Sequence, residues 1–298
     1  MHNESLCRKA RYAGAWYAGE PEDLRSEIGK YLSYSSADVD SYNVRMAVLP
    51  HAGLYYSGRS IARFFNNLPE NTDNVCIISP SHYTYLTPDK ITTADFDTLE
   101  TPLAQIPYRS ICEGIPKTMR ECNVRAVKDE HAVEMVLPFI SYLSEKRQRE
   151  ISVSIMLVSS VKTLEQVNEI AQMTLDNLGR ERIAEGKTVI IASSDFTHYG
   201  TRFGFTPYGS EDIRSIMSSV EEYDRSYARG FAEGSIEELL RRFDEEHPTI
   251  CGFAPALLVS AISRKMKLTG VVVDYYTSNE LNKNPLSDFV SYCSVFWE

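Results

Sequence analysis

The 298-residue sequence has no CxxC pair, no long apolar run and no excess of basic charge. Each absence removes a class of protein. The six cysteines, Cys7, Cys76, Cys112, Cys122, Cys251 and Cys293, are scattered. In a chain of this length that is neither a disulfide framework nor a structural zinc module. No apolar stretch approaches the ~20 residues of a membrane span. The first six residues hold no apolar core of a signal peptide. A reducing compartment, cytoplasmic or nuclear, is the expectation. Asp and Glu outnumber Lys and Arg 41 to 31, for a formal charge of -10. Nucleic acid is not an expected partner, because such binding normally needs a basic face. Rossmann and P-loop fingerprints are missing, and there is no GxSxG elbow. No linker rich in Pro, Gly or Ser divides the chain, so residues 1–298 read as one domain.

What is present is an alternation of β-branched runs and amphipathic stretches. Strands are expected at 44–49, 75–78, 151–158, 188–192, 270–276 and 289–297. A helix is expected over 21–33, with Pro21 at its start and Leu24, Ile28, Tyr31 and Leu32 on one stripe. A second follows Ser57 as its cap, with Ile61, Phe64 and Phe65 inward. A third has Asp129 and Glu130 before an apolar periodic run, with His131 and Glu134 on roughly one face and Pro138 kinking or ending it. Further helices are expected over 163–178, over 235–243 with a Ser235 cap, and over 256–263 with Pro255 at the first position. Strands alternating with helices indicate an α/β sheet.

Three strand runs end alike. Residues 188–192 run into Ser193-Ser194-Asp195-Phe196-Thr197-His198-Tyr199-Gly200. Residues 44–49 run into Pro50-His51-Ala52-Gly53, and 75–78 into Ser79-Pro80-Ser81-His82. Ligands of open α/β sheets bind in the crevice beyond the strand ends. There an acid and an imidazole can orient one another, hold a metal or move a proton; a strand exit with an Asx turn uses the same letters. Asp195 is expected to hold the His198 tautomer, with His198 as acid or base. Ser193 and Ser194 lie too close to His198 in sequence for a Ser–His hydrolase. Cys251 stands close to a helix N-terminus, where the dipole lowers a thiol pKa; an isolated Cys is also commonly a small core residue. Trp16, among Gly14 and Gly19, is either a core anchor or an aromatic pocket wall. His131 is either bonded to backbone at a helix start or a supporting residue of the site. If the three strand ends are neighbours, two His and one anionic ligand give a layout used for non-heme iron, and a thiolate shifts preference toward copper or zinc.

Ala13-Gly14-Ala15-Trp16-Tyr17, residues 50–58 and 79–82, Asp129-Glu130-His131-Ala132-Val133-Glu134, residues 193–200 and Thr249-Ile250-Cys251-Gly252 resemble, in order, the successive motifs of the Memo family. The match spans nearly the whole chain. That family is similar in structure to class III extradiol dioxygenases, non-heme iron enzymes. The resemblance implies a single-domain α/β sandwich with a central mixed sheet and a pocket beyond the strand ends. It implies His51, His82 and Cys251 as ligands of iron or copper, with zinc a third option, and Cys251 standing where the dioxygenases have a carboxylate. It places Asp195 and His198 beside them and Trp16 at the rim, and implies redox chemistry or metal handling in cell-motility signalling. Alternatively, the pocket is a non-catalytic binding module for phosphotyrosine peptides. Here Ala132 stands where Ser is common in the family.

Overall fold

The computed structural model describes residues 6–35, 41–88, 90–209, 212–282 and 285–298. The first five residues, on which most of the signal-peptide expectation falls, lie outside that set. In chain order the first half runs β1 (Cys7–Arg8), α1 (Pro21–Ser35), β2 (Met46–Leu49), α2 (Leu54–Asn66), β3 (Asn74–Ser79), β4 (Ile91–Thr93), β5 (Thr98–Glu100), β6 (Gln105–Pro107), β7 (Arg120–Cys122), α3 (Val124–Asp129) and α4 (Leu137–Arg147). The second half runs β8 (Ser152–Leu157), α5 (Leu164–Leu178), α6 (Arg180–Ala184), β9 (Thr188–Ser193), β10 (His198–Tyr199), α7 (Ile213–Glu233), α8 (Ile236–Glu246), α9 (Phe253–Met266), β11 (Gly270–Thr277), α10 (Ser278–Leu281) and β12 (Phe289–Trp297).

The main sheet is mixed, in the order β10-β12-β2-β9-β3-β8-β4-β7, with β11 also paired to β12. Its centre, β2, β9, β3 and β8, is parallel. Those strands are almost wholly buried, which is why their sequences are apolar without strict alternation. Successive side chains still point to opposite faces. Ala47, Leu49, Ile77, Ile155 and Ile191 meet residues of α1, α2 and α4. Met46, Val48, Ile78, Ile190 and Ala192 meet residues of α5, α7, α8 and α9. The result is the expected α/β sandwich. A small sheet, β1-β5-β6, fixes the start of the chain.

The order of these strands positions the site. β9 comes late in the chain yet inserts between β2 and β3. Leu49 pairs with Ser193, and Ile78 with Ala192. The three loops that follow therefore leave the sheet at one edge, side by side.

Four local expectations are corrected. Helix α2 starts at Leu54 with Gly53 as its cap residue, and Ser57 Oγ donates instead to the Ala52 carbonyl at 2.7 Å. The chain after Asp129 is not one helix. Glu130 is extended, residues 131–136 form turns, and Pro138 sits in the first turn of α4, where its missing N–H costs nothing. Tertiary bonds to Glu130 and Glu134 override the helical pattern there. The Ser235 side chain makes no capping bond to α8. α9 begins at Phe253, so Pro255 is its third residue.

A buried carboxyl in α7 ties this helix to the site loop. Asp224 is wholly buried and accepts hydrogen bonds from Thr197, Ser291 and Tyr275 hydroxyls. Burial outweighs those bonds and pushes its pKa up to about 7. The folded protein therefore binds more protons than the unfolded chain between the ordinary Asp value and pH 7. This stabilising term is fully present below about pH 4 and disappears as pH rises through 7, a change on the order of 4 kcal/mol. Denaturant titrations of Asp224→Asn should show that falling limb flattened, with the variant the more stable form above pH 7.

Candidate metal centre

The loops after β2, β9 and β3 enclose a cavity of about 570 Å³. His51, His82, His131, Asp195 and His198 line it, with Trp16, Tyr55, Tyr56 and Tyr292 as walls and Arg202 as a cationic rim. One ligand atom from each of His51, His82 and Cys251 lies within 4.8 Å of the others. Cys251 Sγ is 3.2 Å from His51 Nε2. Donors around a four-coordinate ion with bonds of about 2.0–2.3 Å stand about 3.3–3.8 Å apart, so modest contraction closes the set.

Hydrogen bonding determines which nitrogen of each ring faces the set. Ser193 Oγ donates its one hydrogen to the Ala132 carbonyl at 2.7 Å. Its 2.9 Å contact with His51 Nδ1 must then be accepted from the ring. His51 thus carries its proton on Nδ1 and presents the Nε2 lone pair to Cys251. Burial, and then the neighbouring imidazoles, hold the His51 pKa well below its ordinary value, so the ring stays neutral, the form that ligates.

His82 is held likewise. Its Nδ1 lies 2.8 Å from Glu130 Oε1, and its backbone N–H donates to Glu130 Oε2 at 2.6 Å. Burial of Glu130 works against ionisation. The bonds from His82, and the Ala132 N–H at 3.0 Å, outweigh it and leave the carboxyl pKa lowered. An ionised carboxylate only accepts, so His82 Nδ1 bears hydrogen and Nε2 is left for a ligand. Carboxylate–histidine pairs of this kind support metal-binding imidazoles. Glu130 and Ser193 are the residues that sequence reading missed. Glu130 read as an acid at a helix start, although it adjoins His131 in the motif.

Cys251 reaches His51 because the residue after it is glycine. A Cβ on Gly252 would stand 2.2 Å from the Ser193 carbonyl oxygen and 2.5 Å from Ser194 Cβ. The Gly252 N–H also donates to Ser194 Oγ at 3.1 Å. Gly252→Ala should push the thiol away from His51, and metal titration should show weaker binding with the fold retained by circular dichroism. The expected lowering of the Cys251 pKa is corrected: burial first, then the Asp195 charge, raise it well above the ordinary thiol value. A thiol without a metal keeps its proton, and a bound ion would displace it.

Asp195 and His198 both line the cavity, but their expected pairing is corrected. His198 Nδ1 lies 3.0 Å from the carbonyl oxygens of Phe196 and Thr249. Two acceptors require an N–H there, so Nε2 bears the lone pair. Asp195 Oδ1 instead accepts the His51 backbone N–H at 2.8 Å. Burial raises the Asp195 pKa, with His198 and the backbone donors opposing.

Trp16 is placed through its backbone, whose carbonyl accepts the Leu54 N–H at 2.9 Å. Gly53 permits that approach, since a Cβ there would meet the carbonyl oxygen at 3.2 Å. The Trp16 ring packs on His131 at 4.6 Å between centroids. Burial first, then the neighbouring His82 imidazole, lower the His131 pKa to about 4. Its Nδ1 is 3.3 Å from Glu130 Oε1, off the line a hydrogen bond needs, and has no partner among the described residues.

No helix among the described residues is long and apolar enough to cross a membrane. The chain is 27% identical over 287 residues to Protein MEMO1 of Xenopus tropicalis, covering 92% of this chain and 90% of the relative. It is 27% identical over 275 residues to Protein MEMO1 of Homo sapiens, covering 90% and 88%. A MEMO1 family protein of Methanosarcina barkeri is 27% identical over 293 residues, covering 98% and 100%. The sequence profile of the Memo family, described as Memo-like protein, matches residues 8–296, and the chain belongs to that family.

Proposed function

We propose that the cavity binds a redox-active metal ion, iron or copper, through His51 Nε2, His82 Nε2 and Cys251 Sγ. The observation that carries this reading is the pair of tautomers set from behind. Ser193 and Glu130 each occupy a ring Nδ1, leaving both Nε2 atoms free of them; His51 Nε2 is 3.2 Å from the Cys251 sulfur, and His82 offers a ligand atom within 4.8 Å of both. A purely structural cluster has no need to present three donors to one point. Two imidazoles and a thiolate suit copper or iron, and also zinc. When bound, the ion would supply one-electron chemistry or a Lewis-acid centre. The Cys251 sulfur, in place of a carboxylate, donates more charge and is itself oxidisable, which favours redox or metal-handling roles over ring cleavage.

The chain's own residues do the rest. His198, with its Nδ1–H bound to two carbonyls, offers Nε2 as a base or hydrogen-bond acceptor. Asp195 fixes the backbone of His51. Trp16, Tyr55, Tyr56 and Tyr292 give the cavity aromatic walls. X-ray absorption on iron- and copper-loaded protein tests the ligand set. Sulfur at about 2.3 Å with nitrogen at about 2.0–2.1 Å is expected; a shell of nitrogen and oxygen alone would remove Cys251 from it.

A second reading uses the same cavity as a site for phosphotyrosine peptides or a small aromatic anion. It is favoured by Arg202 at the rim of an aromatic-walled pocket, where a guanidinium can meet phosphate oxygens while Trp16 stacks on a ring. Titration with phosphotyrosine and plain tyrosine peptides separates the two. Tighter binding of the phosphorylated peptide, lost in Arg202→Ala, is expected on this reading; equal millimolar binding of both peptides would eliminate it.

A further inference from the structure

We propose that Trp16, Tyr12 and Tyr83, packed around His131, form a one-electron relay that carries oxidising equivalents away from the metal cavity and takes the resulting covalent damage. This rests on the redox-metal reading above. The rings form an unbroken series. His82, a proposed ligand, lies 4.4 Å from His131 between centroids. His131 lies 4.6 Å from Trp16 and 5.4 Å from Tyr83. Trp16 lies 5.2 Å from Tyr12. The path leads outward, from buried His131 to partly buried Trp16 and Tyr12 and to Tyr83, which is 54% exposed. The opposite wall differs. Tyr56 contacts Tyr55 and Tyr292, but among the described residues none of these three rings packs on His51 or His82.

The chemistry needs a route out. Cys251 is an oxidisable thiol at the site, and its higher oxides are irreversible. An indole gives up an electron readily, and Trp16 packs on the histidine that packs on a proposed ligand. The co-reactant is hydrogen peroxide. Trp16 gives up one electron and its indole N–H proton. One electron from a reduced metal ion and one further proton from solvent would complete the two-electron reduction, breaking the O–O bond to give two waters and leaving the ion oxidised by one electron. A neutral radical remains on Trp16. One electron from Tyr12, with a proton regained by the indole from solvent and the phenolic proton released to solvent, restores Trp16 and moves the radical outward.

The test uses full-length protein loaded with iron(II), one equivalent of hydrogen peroxide, a nitrone spin trap that adds covalently to radical carbon, and a scavenger of freely diffusing radicals. Peptide mass spectrometry locates the adducts, and metal content is measured on the same samples. The other tryptophan, Trp297, is fully buried in the second core and serves as an internal control. Adducts at Trp16 or Tyr12 should be several-fold above those in metal-free protein and above those at Trp297. In Trp16→Phe the adducts should shift to Tyr83, and sulfinic and sulfonic products of Cys251 should rise several-fold. Bound iron with adducts at neither Trp16 nor Tyr12 above those in metal-free protein, or with Cys251 oxidation unchanged in Trp16→Phe, overturns the relay and leaves the metal reading standing. Failure to bind iron or any other ion overturns both.

Discussion

Replacing Glu134 by Ala is expected to destabilise the protein by about 3–5 kcal/mol, the cost of leaving a buried charge without its partner. Arg8 and Glu134 are both fully buried and paired at 2.7 Å. Arg8 also donates to the carbonyls of Val127 and Glu130, at 3.0 and 2.8 Å. Glu134 accepts the Arg11 and Tyr12 backbone N–H groups and the Tyr17 hydroxyl, at 3.2, 2.8 and 2.7 Å. One carboxylate thus fastens the segment carrying Trp16 to the segment carrying Glu130. Denaturant unfolding should show a midpoint far below the wild-type value. A shift under about 1 kcal/mol, the range of exposed pairs, would mean that the hub relaxes into water.

The second large effect is expected at Glu130. Glu130→Gln keeps the volume but loses the charge that makes His82 Nδ1 a donor. Gln can still accept one bond through its carbonyl, yet its amide would point N–H groups at the backbone N–H of either His82 or Ala132. Metal affinity should fall roughly 10–100-fold, as for other supporting partners of metal-bound histidines. Competition against a chromogenic chelator reads this directly. His82→Ala serves as the reference for complete loss of that ligand.

The expectations that held are those set by period and chemistry. The central strands announced themselves through β-branched runs, and the chain brings ligand atoms of His51, His82 and Cys251 within 4.8 Å of one another. What stayed hidden was set by tertiary bonds. The stretch 129–140 has a helical pattern, but Glu130 is drawn to His82 and Glu134 to Arg8, and the chain turns there. Ser193 is an ordinary strand-end serine until Ala132 is brought within 2.7 Å of it. The Cys251 pKa is raised, opposite to expectation, because the helix dipole acts at a distance, whereas desolvation and the Asp195 charge act at contact. Sequence proximity points to Asp195 as the partner of His198 Nδ1, but Thr249, 51 residues on, supplies one of the acceptors. Strand order was also invisible. Nothing in the local pattern says that β9 enters between β2 and β3, and the site exists because it does.

The metal content of protein purified without a chelating tag tests the central claim most directly, with wild type and Cys251→Ala measured side by side by elemental analysis. The account predicts about one equivalent of iron, copper or zinc in the wild type and a clear loss in the variant. Well under one equivalent in the wild type, with the same value in Cys251→Ala, would contradict it.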